Sequence, residues 1–152
     1  MKKQQYVLYS RNTGMEIGTG EKRADGRVAE GRVVLRFFKL EEGAAALRFL
    51  VEPWEAFDLS RKIDQIYRDG GKEKLTHKFE GSAGEVVTTL SVEKWERNGK
   101  SGCAIAIQRD KDAINVPADD GRFLFAAEFL RFLATAQSWV ELAENGKRTA
   151  EQ

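Results

Sequence analysis

Few residues in this chain of 152 could carry out a reaction. His77 is the single histidine and Cys103 the single cysteine, and no Cys-x-x-Cys or His-Glu-x-x-His spacing is present, so no metal cluster is expected. His77 alternates with Leu75 and Phe79 on one face of an expected strand, where a partly buried histidine with a hydrogen-bond partner is the reading. Cys103 shares a face with Ile105 and Ile107, and no second histidine or local cation cluster stands by to activate it. It reads as a small buried hydrophobe. Gly14, Gly18, Gly20, Gly81 and Gly84 lack the lysine pattern and the strand-to-helix setting of a phosphate loop, and read as turns. Glu41-Glu42 and Asp119-Asp120 could do acid–base work, yet a turn and a helix cap account for them. The expectation is a binding protein that is no enzyme and carries no cofactor.

The remaining chemistry lies in cations and aromatics on strands. If Val33, Leu35 and Phe37 point inward, the two-residue period puts Arg32, Arg36 and Phe38 outward. Arg48 likewise opposes Leu47 and Phe49, and Lys74, Thr76 and Lys78 oppose Leu75 and Phe79. With Cys103, Ile105 and Ile107 inward, Gly102, Ala104, Ala106 and Gln108 form a floor of small and polar residues, and a hairpin end adds Trp95, Arg97 and Lys100. Phosphates need Lys and Arg, and an exposed base can stack on Phe or Trp for about 1–3 kcal/mol. The candidate nucleic-acid-binding residues are therefore Arg32, Arg36, Phe38, Arg48, Lys74, Lys78, Trp95, Arg97 and Lys100, and the expected partner is single-stranded nucleic acid, DNA before RNA, bound with low sequence specificity. A solvated polar sheet face would carry the same pattern. So would a face used to pair with protein, which makes an assembly or regulatory module the alternative. The 25 Lys and Arg against 24 Asp and Glu leave a net charge of +1, so there is no global basic field and any anion-binding surface is local.

These residues need strands to hold them, and the sequence supplies strand signals in an order that repeats. Tyr6 to Ser10 and Met15 to Thr19 flank the turn-former Asn12-Thr13-Gly14; Arg32 to Leu40 and Ala44 to Val51 flank Glu41-Glu42-Gly43. Pro53 then opens a helix with Phe57, Leu59, Ile63, Ile66 and Tyr67 at helical spacing, ending at Gly70-Gly71. The second half runs Lys74 to Glu80, then Glu85 to Arg97 and Lys100 to Arg109 around Asn98-Gly99, the strongest short hairpin signal. Asp112 to Val116 is a last strand that Pro117 ends, and Asp119 or Asp120 caps a helix running to about Glu144. Two ββββα-type units make an α+β fold with helices packed on one sheet face and the other face open.

That order, with Leu50-Val51-Glu52-Pro53-Trp54 running into a helix and Ile114-Asn115-Val116-Pro117 running into the long helix and Trp139, resembles the Whirly family of single-stranded DNA-binding proteins. More loosely it resembles positive cofactor four and the PUR repeat proteins. The similarity spans roughly Arg32 to Glu144 and implies single-strand binding. The Lys-Gly-Lys-Ala-Ala-Leu motif of the plant Whirly proteins has only Gly31-Arg32-Val33-Val34-Leu35 as its nearest counterpart, so the resemblance assigns no site residue.

No Pro, Ser or Gly tract divides the chain, so residues 1–144 are expected to form one domain, in halves of about 1–71 and 72–144, followed by a polar tail over 145–152. A lone cysteine points to a reducing compartment, hence the cytoplasm, or the nucleoid if the partner is DNA. The basic start lacks the apolar core of a secretory signal, and the apolar stretch from Phe123 to Leu142 carries Glu128, Arg131, Gln137 and Glu141, which suits a packed helix rather than a membrane span. One short domain cannot readily bury Phe123, Phe125, Phe129, Phe132 and Trp139 together, so a homo-oligomer is expected.

Overall fold

The computed structural model describes residues 4–23, 25–41 and 43–142; the expected polar tail lies outside them. Strands β1 (Gln5–Tyr9), β2 (Thr13–Lys22), β3 (Glu30–Lys39) and β4 (Leu47–Val51) form one antiparallel sheet in sequence order. Helix α1 (Pro53–Asp69) follows. Strands β5 (Gly71–Gly81), β6 (Gly84–Arg97), β7 (Lys100–Arg109) and β8 (Asp112–Ala118) form a second sheet, again in sequence order, and α2 (Asp120–Ala136) closes the second unit. This is the expected α+β order of strands then helix, twice.

Alternation builds both sheets. Along β3, Val33, Leu35 and Phe37 are fully buried between half-exposed neighbours, and Ile105 and Ile107 repeat the pattern on β7. The β6–β7 turn works because Asn98 and Gly99 both take positive φ, 52° and 78°. Helix α1 starts on Pro53, and the Glu55 carboxylate accepts from the Glu52 N–H at 2.9 Å. Helix α2 starts on Asp119, whose side chain accepts from the Arg122 N–H at 2.9 Å. The two helices pack on each other and on the inward faces of the sheets. One continuous core results, joining Phe37, Phe49 and Ile63 from the first half to Leu90, Ile105 and Phe123 from the second. Each such side chain contributes about 1.5–3 kcal/mol on full burial.

Several expected boundaries move. The first turn is Ser10 to Asn12, with Ser10 N–H donating to Thr13 O at 2.8 Å, so Thr13 and Gly14 already belong to β2. Strand β2 runs on to Lys22, β4 begins at Leu47 rather than Ala44, and β5 begins at Gly71 rather than Lys74. Pro117 lies inside β8, which tolerates it because β8 is an edge strand with no further strand hydrogen-bonded along its outer side among the described residues. The largest change is at α2, which ends at Ala136 instead of near Glu144. The chain beyond it pairs with the start of β3: the Gly31 N–H donates to Trp139 O at 2.9 Å and the Glu141 N–H to Ala29 O at 2.8 Å. The Gln137 amide donates to Gly20 O at 2.8 Å and Arg32 O at 2.9 Å. Residues 137–142 thus form a strap across the far end of the first sheet.

Candidate nucleic-acid interface

The outward face of the first sheet is read along rungs of paired residues. One rung is Val7–Glu16–Arg36–Arg48, the next is Gln5–Gly18–Val34–Leu50, and on the other side lies Tyr9–Gly14–Phe38. Arg36 donates through Nε and Nη2 to the two carboxylate oxygens of Glu16, at 2.8 and 2.9 Å. That planar pairing raises the guanidinium pKa above its ordinary value and fixes its orientation. The guanidinium sits 4.9 Å from the centre of the Phe38 ring. Phe38 in turn lies on the bare backbone of Gly14, where a Cβ would come within 2.6 Å of the ring, and meets Tyr9 edge-on at 5.9 Å. A side chain at position 14 would lift the ring off the sheet. Gly14 is thus a bed for Phe38 rather than the turn its sequence context suggests.

Of the expected residues, Arg36, Phe38 and Arg48 do share this face. Arg32 is there too, but its side chain is only 13% exposed; its guanidinium donates to Gly31 O at 2.9 Å and lies 3.7 Å from Glu30. It is a held cation. Arg48 is exposed, stands directly opposite Arg36, and has no ion-pair partner among the described residues. Sequence reasoning missed Glu16 and the 62%-exposed Tyr9, although each alternates with buried neighbours in the way that found Arg36.

The outward face of the second sheet has rungs Lys72–Glu93–Ala104–Pro117, Lys74–Ser91–Ala106–Asn115 and Thr76–Thr89–Gln108–Ala113, with Lys78 beside Val87 and Trp95 beside Gly102. Lys74, Lys78 and Trp95 therefore share it, and Arg97 and Lys100 stand at its β6–β7 end. Lys72 extends the lysine row by one step and was missed because β5 was expected to start at Lys74, three residues after its actual start at Gly71. A shallow groove of about 220 Å³ runs between Lys72 and Lys74, the Ala106 floor, and the amides of Gln108 and Asn115. Trp95 lies on Gly102 as Phe38 lies on Gly14: a Cβ there would come within 2.4 Å of the indole, and Arg97 stands 5.5 Å from the ring centre. The expected residues thus fall on two sheets rather than one face.

The remaining reactive side chains point inward. His77 Nε2 pairs with Glu55 Oε2 at 2.9 Å while its ring stacks on Phe49 at 4.4 Å, which joins β5 to β4 and α1. Cys103 is buried beside Asp120, and burial first and that carboxylate second push its thiol pKa up, away from the reactive thiolate. Among the described residues, no group of three or more His, Cys, Asp or Glu is placed to hold a metal ion. No helix among them is long and apolar enough to cross a membrane.

No family model matches the sequence, and no curated protein matches it. Solved structures do match. The chain is similar to WHY1 of Arabidopsis thaliana, with a TM-score of 0.61 and 13% identity over 90% of this chain and 92% of that one. It is also similar to the plant transcriptional regulator PBF-2, with a TM-score of 0.54 and 15% identity over 86% and 87% of the two chains. Two four-stranded antiparallel sheets, each followed by a helix, and a match that runs nearly end to end at low identity mean that this chain has the Whirly fold.

Proposed function

We propose that the protein binds single-stranded nucleic acid, DNA before RNA, on the outward faces of its two sheets, without catalysis and with low overall sequence specificity. One observation carries the reading: each sheet exposes cations around an aromatic ring bedded on a glycine, Phe38 on Gly14 and Trp95 on Gly102. A ring over a glycine also helps to fix strand register; a ring with cations gathered around it in addition suits a single strand, whose bases stack on π-faces while its phosphates seek Lys and Arg. The Whirly fold adds support, since the family that the sequence resembles binds single-stranded DNA.

Fluorescence anisotropy with single-stranded and duplex oligonucleotides at low and high salt tests this. The single strand is expected to bind more tightly than the duplex, and its affinity to fall steeply with salt as counterions are released. Affinity that ignores salt would point instead to a protein-pairing face and defeat the reading.

An oligomer belongs to the same proposal. Tyr6 of β1 and Phe125, Phe129 and Phe132 of α2 form an aromatic row, with neighbouring ring centres 4.9 to 6.3 Å apart, yet Phe125 and Phe132 remain 51% and 49% exposed. Burying that row against a second copy would remove it from water. Sedimentation at micromolar concentration is expected to show an assembly, and a strict monomer would overturn it.

A further inference from the structure

Strand β5 leaves an open edge of 11 residues, with no further strand hydrogen-bonded along its outer side among the described residues. The other edge strands are shorter, β1 and β4 with 5 residues each and β8 with 7. A long row of unpaired N–H and C=O groups is a template for another strand. Three features of β5 show where such a strand is wanted. The β5–β6 hairpin outruns its neighbour, because β7 pairs with β6 only as far as Thr88, so residues 78–81 and 84–87 form a ribbon of two strands. A ribbon of that kind is marginal in water without a third strand. Near its tip Phe79, which shares the inward face with Leu75 and His77, is 54% exposed. Glu80 faces Glu85 across the same ribbon, a like-charge rung that a cation on the open side would balance.

The sequence of β5 can meet these three needs by itself. Two β5 strands related by a twofold axis pair antiparallel, and their side chains keep to shared faces only when the axis falls on a residue. The lysines decide which residue, since like charges directly opposite destabilise a sheet. An axis at Lys74 or Lys78 sets that lysine against itself; one at Leu75 sets Lys72 against Lys78, and one at Thr76 sets Lys74 against Lys78. An axis at Phe79 avoids these clashes but pairs only residues 77–81, because the strand ends at Gly81. An axis at His77 pairs residues 73–81. It sets Lys74 of each copy against Glu80 of the other and leaves no lysine opposite a lysine. On the inward face it lays Phe79 of each copy against Leu75 of the other.

We propose that a second copy of this chain docks on the β5 edge, antiparallel about His77, and joins the second sheets of two protomers edge to edge. One register supplies the missing third strand, covers the Phe79 ring and brings Lys74 to the Glu80–Glu85 rung. The surface is separate from the aromatic row of α2. It also sets the lysine rows of two copies side by side on one outward face.

Sedimentation tests this in a protein carrying Phe125→Asp and Phe132→Asp, so that the α2 row contributes nothing to assembly. That protein is expected to form a dimer at submillimolar concentration. Glu80→Lys puts lysine opposite lysine between the copies and is expected to weaken the dimer about tenfold. Within its own chain the new lysine faces Glu85, so the loss cannot come from a weakened hairpin. Lys74→Glu is expected to weaken the dimer equally, and the two changes together, which rebuild both pairs with their ends exchanged, are expected to restore it. In the unaltered protein, hydrogen exchange at the β5 amides is expected to slow as concentration rises. A strict monomer, a dimer indifferent to Glu80→Lys, a charge exchange that fails to restore it, or β5 amides that exchange alike at every concentration overturns the interface. Oligonucleotide binding by such a monomer would leave the nucleic-acid reading standing.

Discussion

Above Phe38 on the first sheet, the arginine is locked by two hydrogen bonds to Glu16; above Trp95 on the second sheet, Arg97 has no ion-pair partner among the described residues. The contrast extends to the neighbours. The first sheet spends its cations on fixed geometry, with Arg36 in a fork and Arg32 turned back on the Gly31 carbonyl. The second sets Lys72, Lys74 and Lys78 in an exposed row with no ion-pair partner among the described residues. The two sheets share a device, a ring bedded on glycine, and differ in what surrounds it. Oriented guanidinium groups discriminate between ligands; ammonium groups on flexible stems attract any phosphate. The sheets also differ in closure, since residues 137–142 strap the far end of the first and nothing comparable crosses the second among the described residues.

The strap gives the sharpest way to separate the sheets. A Cβ on Gly31 would come within 2.0 Å of the Gln137 carbonyl oxygen, which is backbone and cannot step aside. Gly31→Ala is expected to cost about 3 kcal/mol of stability in a denaturant melt. Gly81→Ala at the end of the second sheet, where the nearest atom is Val86 Cγ2 at 3.1 Å, is expected to cost under about 1 kcal/mol. Equal losses would mean that the strap does not distinguish the sheets.

A smaller effect is expected from the cations. Replacing Lys72, Lys74 and Lys78 together by alanine should weaken single-strand binding about 30-fold at low salt and lower the salt slope by about 2, since single strands release about 0.7 counterion per phosphate contact. Arg36→Ala should leave the slope nearly unchanged, because Glu16 already neutralises that charge. A slope that drops as far for Arg36→Ala as for the lysine triple would erase the division of labour between the faces.

Much of this was legible in the sequence. The alternation at Val33, Leu35 and Phe37 assigned Arg36 and Phe38 to the outward face, and Asn98-Gly99 marked its turn, because both signals are local: side-chain period and backbone φ. The end of α2 was not legible. Gln137 and Val140 keep helical spacing, and the chain leaves the helix only because backbone partners wait at residues 29–31, more than 100 residues away in sequence. The Glu16–Arg36 pair was hidden for a related reason. Its register depends on the length of the β2–β3 connection, and no motif encodes that. Nor could alternation tell that outward residues of the two halves lie on two different sheets.

The strap also bears on the order in which the chain can be assembled. Gln137 meets Gly20 across 117 positions, and closing a loop of that size costs about 3 kcal/mol more chain entropy than closing a four-residue turn. Hairpins such as β6–β7 are cheap to form and need only their own residues. The far end of the first sheet cannot be sealed until residues 137–142, more than 100 positions further along, are in place. Among the described residues, strands β2 and β3 are in this sense finished by the segment that follows α2.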